Sequence, residues 1–337
     1  MKARKFAVFA AILSLALFLA ILAPGARAGS LSTDVIGLFP SSVGEFAYAD
    51  LRQARQFSWF PQLEEQMLPA RFKQFEKFLA AAGMDPNTQV EEFAWGLVPT
   101  SMGQGASSGV PTAEQILGVA LGQFQTGAAQ AYFKKQKTPN FASHGYTLYS
   151  FGEGSGAEDF FLLLLDSNTA AFGQRATLEK LLDVRVGLQP NLIHNDAMYA
   201  LINKANGRGI VWAILNPGYT RLALQQLVPE TAQFPEAATL LSKIKSLLIR
   251  IQSSNGIEAD FDATCSTPDD ATQMFSLLSA GFMLLKMQAA NQNNPGLAQL
   301  IDGAKINPSG NQLSISIGLT NDQVVALIQS RTLALKM

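Results

Sequence analysis

Apolar and polar residues alternate along this chain in two rhythms, and the switches between them mark out the elements. Glu45-Phe-Ala-Tyr-Ala-Asp50 repeats every second residue and predicts a strand. From Leu63 to Ala82 the period lengthens. Leu63, Met67, Leu68, Phe72, Phe75, Phe78 and Leu79 recur at three- and four-residue steps, which predicts a helix with one buried face. Gly83 and Asp85-Pro86 stop it. Strand patterns follow at Val90–Val98, Gln115–Phe124, Tyr146–Phe151, Asp159–Leu165, Thr169–Phe172 and Ile210–Leu215. Helical ones cover Thr126–Lys137, Arg175–Leu182, Ala197–Lys204 and, with breaks at Pro229 and Pro235, Tyr219–Lys245. Leu247–Ile251 and Ile257–Thr264 read as a hairpin around Asn255-Gly256. Thr267-Pro-Asp-Asp270 has the cap, the first-position proline and the acidic first turn of a helix start, and that helix runs to about Ala290. A short helix over Gly296–Asp302, a hairpin of Ala304–Asn307 with Gln312–Leu319, and a last helix from Thr320 to Leu333 complete the chain.

This order predicts an α+β fold: antiparallel-rich sheets with helices packed on one face. Residues 45–135 and 257–333 share a strand–helix–strand–strand–helix order, which suggests two related units around a central β-rich segment. The corresponding division is 1–28, 29–140, 141–246 and 247–337.

The first of those segments changes the picture most. Lys2, Arg4 and Lys5 precede an apolar run from Phe6 to Ala23, Pro24-Gly25 breaks it, and Ala26-Arg-Ala28 is a small-x-small cleavage pattern before Gly29. That is the layout of a secretory signal peptide, and it predicts a periplasmic or secreted protein that begins at Gly29. A retained segment would instead be a membrane anchor. The single cysteine, Cys265, is not at the cleavage point, so it supplies no lipid attachment there, and alone it forms no intramolecular disulfide. Its alternating surroundings predict a buried strand thiol. Without the four basic residues of the first segment, 21 basic residues face 26 acidic ones, a net charge of −5. With no basic block, nucleic-acid binding by phosphate neutralisation is not expected.

Chemistry-bearing motifs are sparse. Gly105-Ala-Ser107-Ser-Gly109 matches a nucleophile elbow, and Asp166 and His194 follow in the hydrolase order, yet the flanks are polar and no core strand leads in. His144 and His194 are the only histidines, and no spacing of His, Cys or acidic residues predicts a metal site. Glu64-Glu65, Glu91-Glu92, Asp260 with Asp262, and Asp269-Asp270 read as helix-end and strand-face charges. No phosphate-binding glycine motif occurs, so no catalytic residue, metal or cofactor is expected. The unusual segment is the helix carrying Met274, Phe275, Leu278, Phe282, Met283 and Met287, which is apolar nearly all round and too short to span a bilayer. Burial on several sides is the simplest expectation. An apolar groove accepting a ligand, and a contact with another chain, are the alternatives.

Phe46-Ala-Tyr-Ala-Asp50-Leu51, Ala82-Gly-Met-Asp-Pro86, Gly256-Ile-Glu-Ala-Asp-Phe-Asp262 and Leu313-Ser-Ile-Ser-Ile-Gly-Leu319 together resemble a loose set of uncharacterised exported bacterial proteins. The resemblance implies no functional residue. It favours a non-catalytic binding or structural protein of the cell envelope, whose partner is an unknown protein or a hydrophobic ligand. A carrier of a hydrophobic ligand and a serine hydrolase are the alternatives.

Overall fold

The structure, a computed structural model, describes residues 29–67, 70–102, 111–152, 156, 159–227, 239–253, 257–291 and 301–329. The signal-peptide residues up to Ala28, Ser107 with its glycines, and the Asn255-Gly256 turn lie outside them.

One antiparallel sheet of 12 strands organises the described residues, in the order β11-β12-β10-β9-β8-β1-β2-β3-β7-β6-β5-β4. The strands are β1 (Glu45–Asp50), β2 (Val90–Met102), β3 (Pro111–Gly122), β4 (Asn140–Ser143), β5 (Tyr146–Phe151), β6 (Phe160–Leu164), β7 (Thr169–Gln174), β8 (Val211–Leu215), β9 (Ile244–Ser253), β10 (Ile257–Cys265), β11 (Ala304–Ser309) and β12 (Gln312–Leu319). The helices that matter below are α1 (Thr33–Ile36), α2 (Leu51–Ala54), α3 (Phe60–Met67), α4 (Ala70–Ala81), α5 (Pro86–Gln89), α6 (Thr126–Gln136), α7 (Arg175–Arg185), α8 (Asp196–Ala205), α9 (Pro217–Leu227), α10 (Pro268–Asn291) and α11 (Asn321–Gln329). The α+β, antiparallel expectation holds.

The helices cover both faces of the sheet, where the sequence pattern suggested one. Ala47 and Ala49 of β1 join a core with Phe60, Phe75 and Leu79, Phe133, Tyr219, and Val324 and Ile328, from α3, α4, α6, α9 and α11. Phe46 and Tyr48 of the same strand face a second core with Ile36, Leu178 and Leu181, and Met198 and Ile202, from α1, α7 and α8. All six residues of β1 are therefore buried. An alternating strand is often read as half-exposed. Here the alternation separates small residues from large ones on two covered faces.

β1 and β8 pair at the centre, with Glu45 opposite Leu215 and Ala49 opposite Val211. Outward from this pair the chain lays down similar elements on each side. β2, β3, α6, the β6–β7 hairpin and α7 lie on one side; β9, β10, α10, the β11–β12 hairpin and α11 lie on the other. The strand order thus relates β1 to β8. The β4–β5 hairpin extends the first side only.

Local signals explain many boundaries. The Thr267 hydroxyl accepts the Asp270 N–H at 3.1 Å, and Asn195 Oδ1 accepts the Met198 N–H at 3.2 Å, capping α10 and α8. Asp85 caps α5 with Pro86 in its first turn. Four short elements had weak periodicity: the four-residue helices α1, capped by Ser32, α2 and α5, and the short strand β4. The helical pattern through Lys245 is overridden from Ile244 onward. β9 begins there because Leu247, Ile249 and Ile251 fill the first core while Leu248 fills the second.

Candidate functional site

α10 carries the candidate apolar residues. Its N-terminal half packs over β10, β11 and β12. Met274 is buried against Leu241, Ile244 and Leu313, with Phe275 and Leu278 at the margin. That contact anchors the N-terminal part of the helix to the sheet. Phe282 is half-buried. Beyond it the helix turns apolar side chains to the outside: Met283, Leu284 and Met287 are 68%, 60% and 59% exposed, and Leu277 is exposed as well. Leu277, Ala280, Leu284 and Met287 recur at steps of three and four and so form one stripe. Nearby, Lys286 pairs with Asp302. Among the described residues no helix is long and apolar enough to cross a membrane.

The charged groups gather elsewhere, at the two ends of β1 and on β10. At the Asp50 end, the carboxylate is buried and caps α2. Oδ1 accepts the Gln53 backbone N–H at 3.2 Å, and Oδ2 accepts the Gln53 side-chain amide at 2.8 Å. Arg52 lies 3.5 Å from Asp50 and 3.3 Å from Glu91, and it pairs with Glu92. Burial raises the Glu92 carboxyl above its ordinary range, helped by the charges of Asp50 and Glu91. The Tyr48 hydroxyl and Arg52 oppose that rise. Gly29 abuts this group, and a Cβ there would overlap Asp50 Oδ2 and the Tyr48 hydroxyl.

At the other end of β1, Glu45 has no exposed surface, and neither carboxyl oxygen has a hydrogen-bond partner among the described residues. Burial pushes its pKa well above the ordinary glutamate value, and the charge of Glu114 on β3 adds to the shift. Tyr219 of α9 lies over the same region. Burial raises its hydroxyl above the ordinary tyrosine value, and the charges of Glu114 and Glu45 add to the rise. Gly44 makes this possible, because a Cβ at that position would run into the Tyr219 ring. Glu45 is sealed from solvent, whereas Glu114 is partly exposed.

On β10 the acidic pair that might have bound a cation is already satisfied. Asp262 accepts Arg250 and the Ser314 hydroxyl at 2.8 and 2.6 Å; Asp260 accepts Gln252 and the Ser316 hydroxyl at 2.9 and 2.7 Å. Ser314 and Ser316 stand directly opposite on β12, and Arg250 and Gln252 reach across diagonally from β9, so the ladder is part of the sheet. Glu64 and Glu65 flank the Arg55 and Lys73 side chains. Burial next to this acidic group raises Glu76 to about 7. Asp269 and Asp270 sit in the first turn of α10.

Of the hydrolase residues, Asp166 and His194 lie among the described positions, each bonded to a local partner. Asp166 accepts the Asn168 N–H inside the β6–β7 turn, at 2.8 Å. His194 is exposed ahead of α8 and bonds Asn191 at 2.6 Å. His144 lies in the β4–β5 turn, 3.2 Å from Asp183. Ser107 lies outside the described residues. Cys265 is a buried free thiol at the end of β10, and burial raises its pKa. Among the described residues no group of three or more His, Cys, Asp or Glu is gathered as a metal would require.

A cavity of about 610 Å³ opens beside α6, away from α10, over Phe133, Lys134, Lys137, Asn140 and Tyr149. The sequence pattern gave no sign of it, because β4 was not legible as a strand.

No protein-family model matches this chain, and no curated relative matches it. Two solved structures are similar in outline, crystal forms I and IV of TP0453. Form I has 12% identity and a TM-score of 0.45, covering 88% of this chain and 96% of that one. Form IV has 10% identity and a TM-score of 0.45, covering 86% of this chain and 95% of that one.

Proposed function

We propose that the protein is exported to the cell envelope and there binds a partner without catalysis, through the outward stripe of α10. The observation that carries this reading is the exposure of Met283, Leu284 and Met287 together on one helix whose opposite side is already anchored. Single exposed apolar side chains are ordinary, but a contiguous run on one face marks a surface that another apolar surface covers. Flexible methionines suit a partner surface of variable shape. Met274, packed onto the sheet, favours such surface binding over enclosure of a ligand beneath the helix.

The test pairs two measurements. Leu284→Lys/Met287→Lys should lose most of the wild-type retention on an octyl resin and most of the fluorescence of bound anilinonaphthalene sulfonate. Its stability should shift by no more than about 0.5 kcal/mol, as expected for surface positions. Retained probe binding would overturn the α10 reading. Intact mass of envelope-fraction protein tests export separately: a chain starting at Gly29 supports it, and retention of residues 1–28 refutes cleavage.

A further inference from the structure

The two edges of the sheet are built differently. β11, at one edge, carries Lys305 and Pro308. A lysine and a proline are standard obstacles to another strand pairing there. β4, at the other edge, is Asn140-Phe-Ala-Ser143 and has neither.

The hydrogen-bond phase of β4 follows from its pairing. Ser150 N–H donates to the Pro139 carbonyl at 2.7 Å, directly opposite in the register that sets Asn140 against Tyr149. Antiparallel pairs alternate between bonded and non-bonded. Phe141 and Ser143 therefore direct their backbone groups to β5, while Asn140 and Ala142 direct theirs outward. Arg175 stacks on the Phe141 ring at 3.2 Å and pins the strand from the other side.

The cavity beside α6 lies along this edge. Gly127 and Ala131 leave room on the helix flank, and Phe133 and Tyr149 form the floor. Lys134 and Lys137 line it, with Lys137 placed at the helix end by a left-handed C-cap. From Ile116 to Gly152 the chain has no Asp or Glu, so no acidic residue of this segment offsets these lysines.

We propose that an extended acidic peptide segment of a partner protein binds here as an added strand on β4. Its backbone pairs with the outward N–H and C=O groups of Asn140 and Ala142. Alternate carboxylates lie on the α6 face, toward Lys134 and Lys137, and the side chains between them turn to the opposite face of the sheet. Main-chain pairing supplies affinity and the lysines supply the charge preference. The surface is separate from α10.

The test uses the full mature chain and a fluorescein-labelled hexapeptide of alternating Asp and Val, followed by anisotropy. The expected result is saturable binding that weakens with added salt, and no binding of the Lys-Val counterpart. Ala142→Pro removes one outward donor without touching the β5 pairing. Lys134→Glu/Lys137→Glu reverses the charge. Each should weaken binding by about tenfold or more. Circular dichroism checks that the sheet survives, and Leu284→Lys/Met287→Lys should bind the peptide as wild type does. Absence of saturable binding overturns the proposal, as does undiminished binding by Ala142→Pro or by the double glutamate variant.

Discussion

The two ends of β1 hold carboxyl groups in opposite circumstances. Asp50 is buried with partners: two hydrogen bonds from Gln53 and a guanidinium at 3.5 Å. Glu45, five residues earlier and on the other face, is buried without a hydrogen bond or a cation among the described residues. A paired buried carboxylate keeps its charge and organises its surroundings. An unpaired one gives the charge up, because an uncompensated ion in a low-dielectric interior costs several kcal/mol. The Asp50 end is thus built around a carboxylate with hydrogen-bond and guanidinium partners, and the Glu45 end around a carboxyl that burial drives toward its protonated form.

Asp50→Ala should have the largest effect. It removes the cap of α2 and leaves Arg52 with only Glu91 and Glu92, at a cost of roughly 3 kcal/mol. Urea denaturation measures this, and a loss below about 1 kcal/mol would show that the capping and pairing contribute little. Glu92 should also titrate lower in the variant, since Asp50 is one of the charges raising it.

Glu45→Met should act in the other direction. It replaces an unpartnered carboxyl by an apolar side chain of similar length and should stabilise the protein by about 2 kcal/mol at pH 8. The pH dependence follows from the sign of the shift. The folded pKa lies above the unfolded one, so the native state keeps a proton that the unfolded chain releases. Stability from this group is complete below the unfolded pKa and falls as pH rises toward the folded value, by at most about 1.4 kcal/mol per pH unit. The gain from Glu45→Met should therefore grow between pH 4.5 and pH 8. A gain that stays constant over that range would break the contrast with Asp50.

The smallest effect concerns Gly29. A chain made to begin there carries an α-ammonium on the residue that abuts Asp50 and Tyr48. That adds a cation to three carboxylates and one guanidinium. Nα-acetylation should lower stability by about 0.5–1 kcal/mol near pH 6. The difference should fade as pH rises past the amine pKa, near about 8, because the folded state favours the charged form. Calorimetry of the two forms at pH 6 and pH 10 decides it, and equal melting at pH 6 would remove the amine from the cluster.

Much of this was legible before the structure, for reasons that differ by element. The cap of α10 was readable because Thr267, Pro268, Asp269 and Asp270 act within one turn. β10 was readable because its alternation is strict, and the partners of Asp260 and Asp262 follow once neighbouring strands align. The apolar character of the Met274–Met287 segment was visible as composition. Which residues it buries was not, since Met274 and Met283 are chemically alike and differ only in what lies opposite them. β4 was missed because a four-residue strand at an edge carries too little periodicity to register.

By itself the sequence determined where most of the longer strands and helices lie, because side-chain period and capping act over a few residues. It also determined the acidic balance, the lone cysteine and the export-like first segment. Tertiary structure alone decided that β1 pairs with β8, that helices cover both faces, and that α10 leaves one stripe uncovered. It also decided that the partly exposed Glu114 acts on the buried Glu45 while Asp50 meets Arg52. Those outcomes depend on residues brought together from distant parts of the chain, where the energetics of burial and charge apply only once the partners have met.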